Sequence, residues 1–296
     1  SCKDERDIYY SRPEWLNAPI YKTLKDEGRF TNYLKCVDRT MYAAPLKASG
    51  MYTVFAPNDE AFAKYLVSKN LSSVDELSDS IVNRIVSYSI VYNKFVYDHL
   101  TDVLSGGWDT LSCIKKKTSY YETIHLETYK GKTIWVYDMP SFSIGDNNYK
   151  FIPFYLKDVF EKTRTQTQAA EDYGMFYPTA YSGDNIQNSN ILEKDMLAEN
   201  GVAHEVDQVN EPLPTIEYYL TDPSFSMFRS LIDTKNNAGD NYFISYTFSK
   251  AATDYFKQAL PGKSIDEVYL KSYPALPFNM NSERYGSGNL MAEQGG

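Results

Sequence analysis

Cysteine, histidine and positive charge are the scarce components of this chain, and each shortage removes a class of function. Among 296 residues there are three cysteines and three histidines. Cys2, Cys36 and Cys113 form no C-x-x-C pair, and with the histidines scattered they make no zinc site. If Cys2 is modified, Cys36 and Cys113 remain as a candidate pair, and spacing alone favours a disulfide no more than two buried free thiols. His99, His125 and His204 lie in no H-E-x-x-H and beside no serine or cysteine nucleophile motif, so no catalytic triad is visible. Thirty Lys and Arg against 39 Asp and Glu give a formal charge of −9, which disfavours binding to a phosphate backbone. The one basic run, Lys115-Lys116-Lys117, reads as a solvated strand or loop edge. Gly286-Ser287-Gly288 is followed by Met291 where a dinucleotide loop needs its third glycine, and it reads as a turn. No apolar run reaches the length of a membrane span. These motifs call for no cofactor, no metal and no nucleic acid.

What is present is a core and many tyrosines. A hydrophobic fraction of 43% suffices for a globular interior at this length. The 27 tyrosines suit protein interfaces or sugar stacking, or fill the rim of a sheet-based core. Asp233, Asn236, Asn237, Asp240 and Asn241 make a polar loop whose spacing misses the calcium ladder of an EF-hand, so it reads as a plain loop. No pair of carboxylates is singled out for glycoside hydrolysis, although such a pair can come from distant positions.

The most legible stretch is Tyr52-Thr53-Val54-Phe55-Ala56-Pro57-Asn58-Asp59-Glu60-Ala61-Phe62. Thr53 to Phe55 predicts a short strand, and Pro57 ends it by removing a donor. Asn58 then caps a helix whose first turn carries Asp59 and Glu60 and whose apolar face begins at Ala61, Phe62 and Tyr65. Downstream, Asn200-Gly201 predicts a tight turn into a strand over Val202-Ala203-His204-Glu205-Val206-Asp207.

These two segments resemble the hallmarks of the fasciclin (FAS1) domain, approximately T-V-F-A-P-T-D/N-E-A-F and N-G-V-I-H-V-I-D. The resemblance covers roughly residues 17–214, and Ile20, Leu24, Phe30, Leu34 and Val37 supply the expected amphipathic segment ahead of the first motif. It implies structural roles for Thr53, Phe55, Pro57, Asn58, Phe62, Asn200, Gly201, His204 and Asp207, with His204 in internal hydrogen bonding. Three departures stand out. Tyr88-Ser89 replaces the family's tyrosine-histidine pair, Glu205 stands at an apolar position and predicts a more solvated strand face, and residues 138–190 read as an insertion.

Beyond Pro212-Leu213-Pro214 the pattern restarts. Residues 215–220 and 225–232 resemble the opening helices of a second fasciclin repeat, and Ser249 to Leu260 predicts another helix with Ala252, Tyr255, Phe256 and Leu260 on one side. Residues 215–296 are thus expected to be a partial second domain, completed by strands after Gly296 or by packing its apolar side elsewhere. The fold class expected is α+β: a fasciclin-like β-sandwich or wedge with a helical layer, followed by the incomplete repeat.

The amino terminus carries a separate signal. Ser1-Cys2-Lys3-Asp4-Glu5 resembles a bacterial lipoprotein junction, with Cys2 as the acylated residue and residues 1–16 as a tether. The charged residues that follow resemble the export signal of surface lipoproteins in the Bacteroidota. Asp79-Ser80-Ile81 and Asp109-Thr110-Leu111 match the short O-glycosylation pattern of the same bacteria, which marks Ser80 and Thr110. The resemblance implies a non-enzymatic adhesion or interaction protein on the outer face of the outer membrane, as an accessory subunit of a SusC/SusD-like nutrient transporter. The alternatives are a glycan-binding lipoprotein and a hydrolase with an unrecognised carboxylate pair.

Overall fold

The structure is a computed structural model that describes residues 17–48, 50–102, 114–139, 141–142 and 148–276. In chain order the elements begin with helices α1 (Ile20–Glu27), α2 (Thr31–Asp38) and α3 (Ala43–Lys47), then strand β1 (Tyr52–Pro57). Helices α4 (Asp59–Ser68) and α5 (Asp79–Tyr88) lead to β2 (Ile90–Tyr92), β3 (Lys115–Glu122), β4 (His125–Tyr129), β5 (Lys132–Tyr137) and β6 (Asn148–Leu156). There follow α6 (Lys157–Phe160), α7 (Gln166–Gly174), β7 (Asp184–Ile186), β8 (Ser189–Ala198) and β9 (Gly201–Val206). The last part holds α8 (Ile216–Tyr219), α9 (Ser226–Ile232), β10 (Ser245–Phe248), α10 (Lys250–Ala259) and β11 (Val268–Ser272). The class is α+β, as expected.

The chain forms two compact units, one of residues 1–120 and 151–212, the other of residues 121–150 and 213–296. In the first, β1, β2, β3, β6, β7, β8 and β9 close into a barrel, where the sequence suggested a β-sandwich or wedge. Closure comes from the parallel pairing of β1 with β9, Tyr52 opposite Gly201 through Pro57 opposite Val206, and it leaves no free edge on either strand. The segments of residues 52–62 and 200–207 are therefore neighbours in one ladder. Helices α1, α2, α4 and α5 lay Ile20, Leu24, Tyr33, Val37, Phe62 and Ile85 into one apolar core with Val54 and Ala203. A second cluster gathers Phe55, Tyr88, Val91, Ile152, Phe154 and Val206.

The expected boundaries differ from these units in a physically informative way. Residues 184–190, placed by the sequence at the end of an insertion over 138–190, belong to barrel strands β7 and β8. The segment that leaves the barrel is instead the β4–β5 hairpin. It joins β10 and β11 in a four-stranded sheet of order β10-β11-β5-β4, with β11 parallel to β5. The helices after Pro214 thus obtain strands from within the chain: Phe256 and Ala252 of α10 pack with Tyr137, Val268 and Ile265. Residue pairs opposite one another share a sheet face, so Trp135, Tyr137, Val268 and Leu270 line the side that meets α10.

Glu205 also departs from expectation. All of β9 is buried, and Glu205 is 6% exposed because Asn58 and Arg29 satisfy its carboxylate. Lys116, in the run expected to be solvated, is buried in β3, donates to the Asp102 carbonyl at 3.0 Å and lies over the Phe95 ring.

Candidate functional site

Building upward from the motif residues gives a network directed at the barrel itself. The Thr53 hydroxyl donates to the Asn93 carbonyl at 2.8 Å and accepts from the Phe95 amide at 2.8 Å, pinning the chain after β2. Phe55 stacks on the His204 ring at 5.6 Å, while Phe62 is fully buried in the helical core. Asn58 does two jobs: its Oδ1 accepts the Ala61 amide at 2.8 Å as a helix cap, and its Nδ2 donates to Glu205 Oε1 at 2.7 Å. Asn200 accepts the Ile20 amide at 2.8 Å and donates to the carbonyls of Pro45 and Leu46, which ties α1 and α3 to the start of β9. At Gly201 φ is +148°, and a Cβ there would lie 1.9 Å from the Tyr52 carbonyl oxygen. Asp207 receives both the backbone and side-chain nitrogens of Asn190, at 2.8 and 3.0 Å.

His204 is fully buried, and its two nitrogens have distinct partners. Nε2 faces the Phe95 carbonyl at 3.0 Å, and Nδ1 accepts the Asp195 amide at 3.3 Å. This arrangement requires the neutral Nε2–H tautomer, and burial lowers the imidazole pKa accordingly. Such a histidine holds strands together and presents no open nitrogen for chemistry. Ser89 meets the buried Tyr33 hydroxyl at 2.7 Å. Cys36 is a free buried thiol, pushed up to about 12 by burial. Cys2, Cys113, Thr110 and Gly286 to Gly288 lie outside the described residues, and Ser80 is exposed near the start of α5.

Two features in the second unit were not read from the sequence. The first is a charged cluster on the sheet face opposite α10. His125 and Glu127 stand two apart on β4, Asp138 directly follows β5, and Lys271 of β11 reaches Glu127 Oε1 at 2.8 Å and also bonds Glu217. His125 Nε2 lies 2.8 Å from Glu127 Oε1, its Nδ1 lies 3.4 Å from Asp138 Oδ2, and Tyr246 donates to Glu127 Oε2 at 2.7 Å. Burial opposes ionisation of Glu127, yet bonds from His125, Lys271 and Tyr246 prevail and hold it down to about 2. At Asp138 burial prevails over His125 and Lys271 and raises the carboxyl to about 6. Burial would lower His125, but Glu127 and Asp138 together raise it. The signal available in the sequence was the alternation His125-x-Glu127 in a strand; nothing local indicated that Asp138 and Lys271 would join it.

The second feature is apolar. From α8 to α9 the chain exposes Tyr218, Tyr219, Phe225, Met227, Phe228 and Leu231, with Met227 85% and Leu231 61% accessible. The charged groups along it are few: Arg229 pairs with Asp233 at 2.7 Å, and Asp222 caps its own turn. The Asp233–Asn241 loop is held by its own bonds, with Asn236 Oδ1 accepting the amides of Ala238 and Asp240, and Lys130 on Asp240 at 2.5 Å.

The fasciclin domain model matches residues 28–145, ending before β9. A solved structure of a FAS1 domain pair from the insect cell adhesion molecule fasciclin I aligns at 10% identity with a TM-score of 0.32, over 80% of this chain and 66% of that chain. No curated protein matches. The segment that the fasciclin domain model matches runs from the end of α1 past β5 and covers less than half of the chain.

Proposed function

We propose that the protein is a non-enzymatic, surface-anchored interaction module, held to the outer membrane by a lipid on Cys2 and docked on a SusC/SusD-like nutrient transporter. The observation that carries this reading is the exposed apolar run from Tyr218 to Leu231, in a chain whose motif residues are used up in internal bonds. Contiguous exposed apolar surface on a soluble domain marks an interaction site. The absence of a Lys or Arg cluster along the run favours a protein surface over anionic lipid headgroups. The Ser1-Cys2 junction and its acidic follow-on support the anchor.

Pull-down from native membranes tests the docking. The wild-type chain co-purifies transporter subunits, and the doubly substituted Met227→Glu, Leu231→Glu chain loses them while keeping its circular dichroism spectrum and melting temperature. Equal recovery of partners by both proteins refutes the role of this surface. Intact-mass analysis of native protein tests the anchor: added acyl mass on the N-terminal peptide is expected, and Cys2→Ala releases the protein from the membrane fraction. Unmodified, soluble native protein refutes it. Glycopeptide mass spectrometry at Ser80 and Thr110 decides the modification of those sites.

A further inference from the structure

We propose that His125, Glu127 and Asp138 form a binding site for one divalent first-row transition-metal ion, with zinc as the best match. Strand geometry supplies the constellation: His125 and Glu127 project from one face of β4, and the register of His125 opposite Val136 brings Asp138, just past the end of β5, to the same end of the hairpin. One donor atom from each residue lies within 4.8 Å of the others. The separation of 3.4 Å between His125 Nδ1 and Asp138 Oδ2 also suits a shared ion, because two ligands about 2.1 Å from a tetrahedral zinc lie about 3.4 Å apart.

The donor chemistry narrows the ion. One imidazole with two carboxylates suits zinc or its first-row neighbours, whereas calcium needs six or more oxygens and a soft ion needs sulfur. Three protein ligands leave a position for water. The surroundings hold the donors in place, since Tyr246 and Lys271 both bond Glu127 and thereby fix its carboxylate. Access is open from the side of His125, whose side chain is 45% exposed.

Isothermal titration of the chelator-treated full chain with zinc chloride tests the proposal. One zinc per chain is expected, with affinity falling at least tenfold in His125→Ala and in Asp138→Asn. His99→Ala, which alters the separate His99–Asp102 pair, leaves the affinity unchanged. Calcium does not compete. Circular dichroism establishes that each variant is folded, and loading wild-type protein with cobalt(II) provides a readout that needs no variant: protein-ligated, low-symmetry visible bands are expected. Absence of saturable zinc binding, binding that survives both substitutions, or a cobalt spectrum identical to that of the hydrated ion overturns the site.

Discussion

Replacing Asn58 with alanine removes two interactions at once, and the structure allows each to be sized. The lost cap, Oδ1 to the Ala61 amide at 2.8 Å, costs about 1 kcal/mol. The lost bond from Nδ2 to Glu205 Oε1 at 2.7 Å is to a charged and buried acceptor, worth about 1.5–3 kcal/mol. Glu205 keeps its bond from Arg29 Nε at 2.9 Å, so its carboxylate is not abandoned and the lower end of that range applies. The expected total is about 2.5 kcal/mol. Asn58→Ser keeps a capping oxygen and loses the donor, so it should cost about 1.5 kcal/mol. Because the chain has two compact units, global denaturation mixes their transitions, and hydrogen exchange of peptides from α4 and β9 under increasing urea isolates the first. A cost below about 0.5 kcal/mol for Asn58→Ala would refute the reasoning, as would equal costs for the two variants, since the cap would then contribute nothing. A double substitution with Glu205→Gln should show coupling, because both residues share one bond.

Further outcomes follow from the same ladder. Gly201→Ala should abolish folding of the first unit, costing more than about 4 kcal/mol, because its Cβ cannot coexist with the Tyr52 carbonyl; soluble, exchange-protected variant protein would contradict this. His204 is neutral in the fold with its pKa lowered below the ordinary value of about 6.5, so the unfolded chain binds a proton that the folded one does not. Its contribution is fully present above that pH and is lost as pH falls below it; α4 and β9 exchange should quicken between about pH 6.5 and 5 in wild type, and the slope should flatten in His204→Gln.

The local parts of this fold were legible in the sequence, and the non-local parts were not. The strand over Thr53 to Phe55, the stop at Pro57 and the cap at Asn58 rest on neighbouring residues, and they appear where those residues place them. Glu205 was misread because its partners, Asn58 and Arg29, stand 147 and 176 positions away. Lys116 was misread for the same reason, its carbonyl and aromatic partners lying outside the run that suggested a solvated edge. Tyrosine number alone did not reveal place: Tyr33, Tyr88, Tyr137 and Tyr173 are fully buried, whereas Tyr218 and Tyr219 are exposed. The charged cluster was invisible because Lys271 lies 144 positions from Glu127, and only strand pairing brings them together.

The division of the second unit between residues 121–150 and 213–296 dictates an order of assembly. During synthesis the β4–β5 hairpin emerges long before β11, its parallel neighbour, so β5 must wait with an open edge while the remaining barrel strands are made. An early stop or proteolytic cut near Pro212 would leave a complete barrel sequence carrying an orphaned hairpin, with Trp135, Val136 and Tyr137 deprived of their neighbours. Expression fragments ended at the obvious proline-rich connector would therefore be prone to aggregate, and a soluble first unit calls for excision of the hairpin as well as removal of the C-terminal segment.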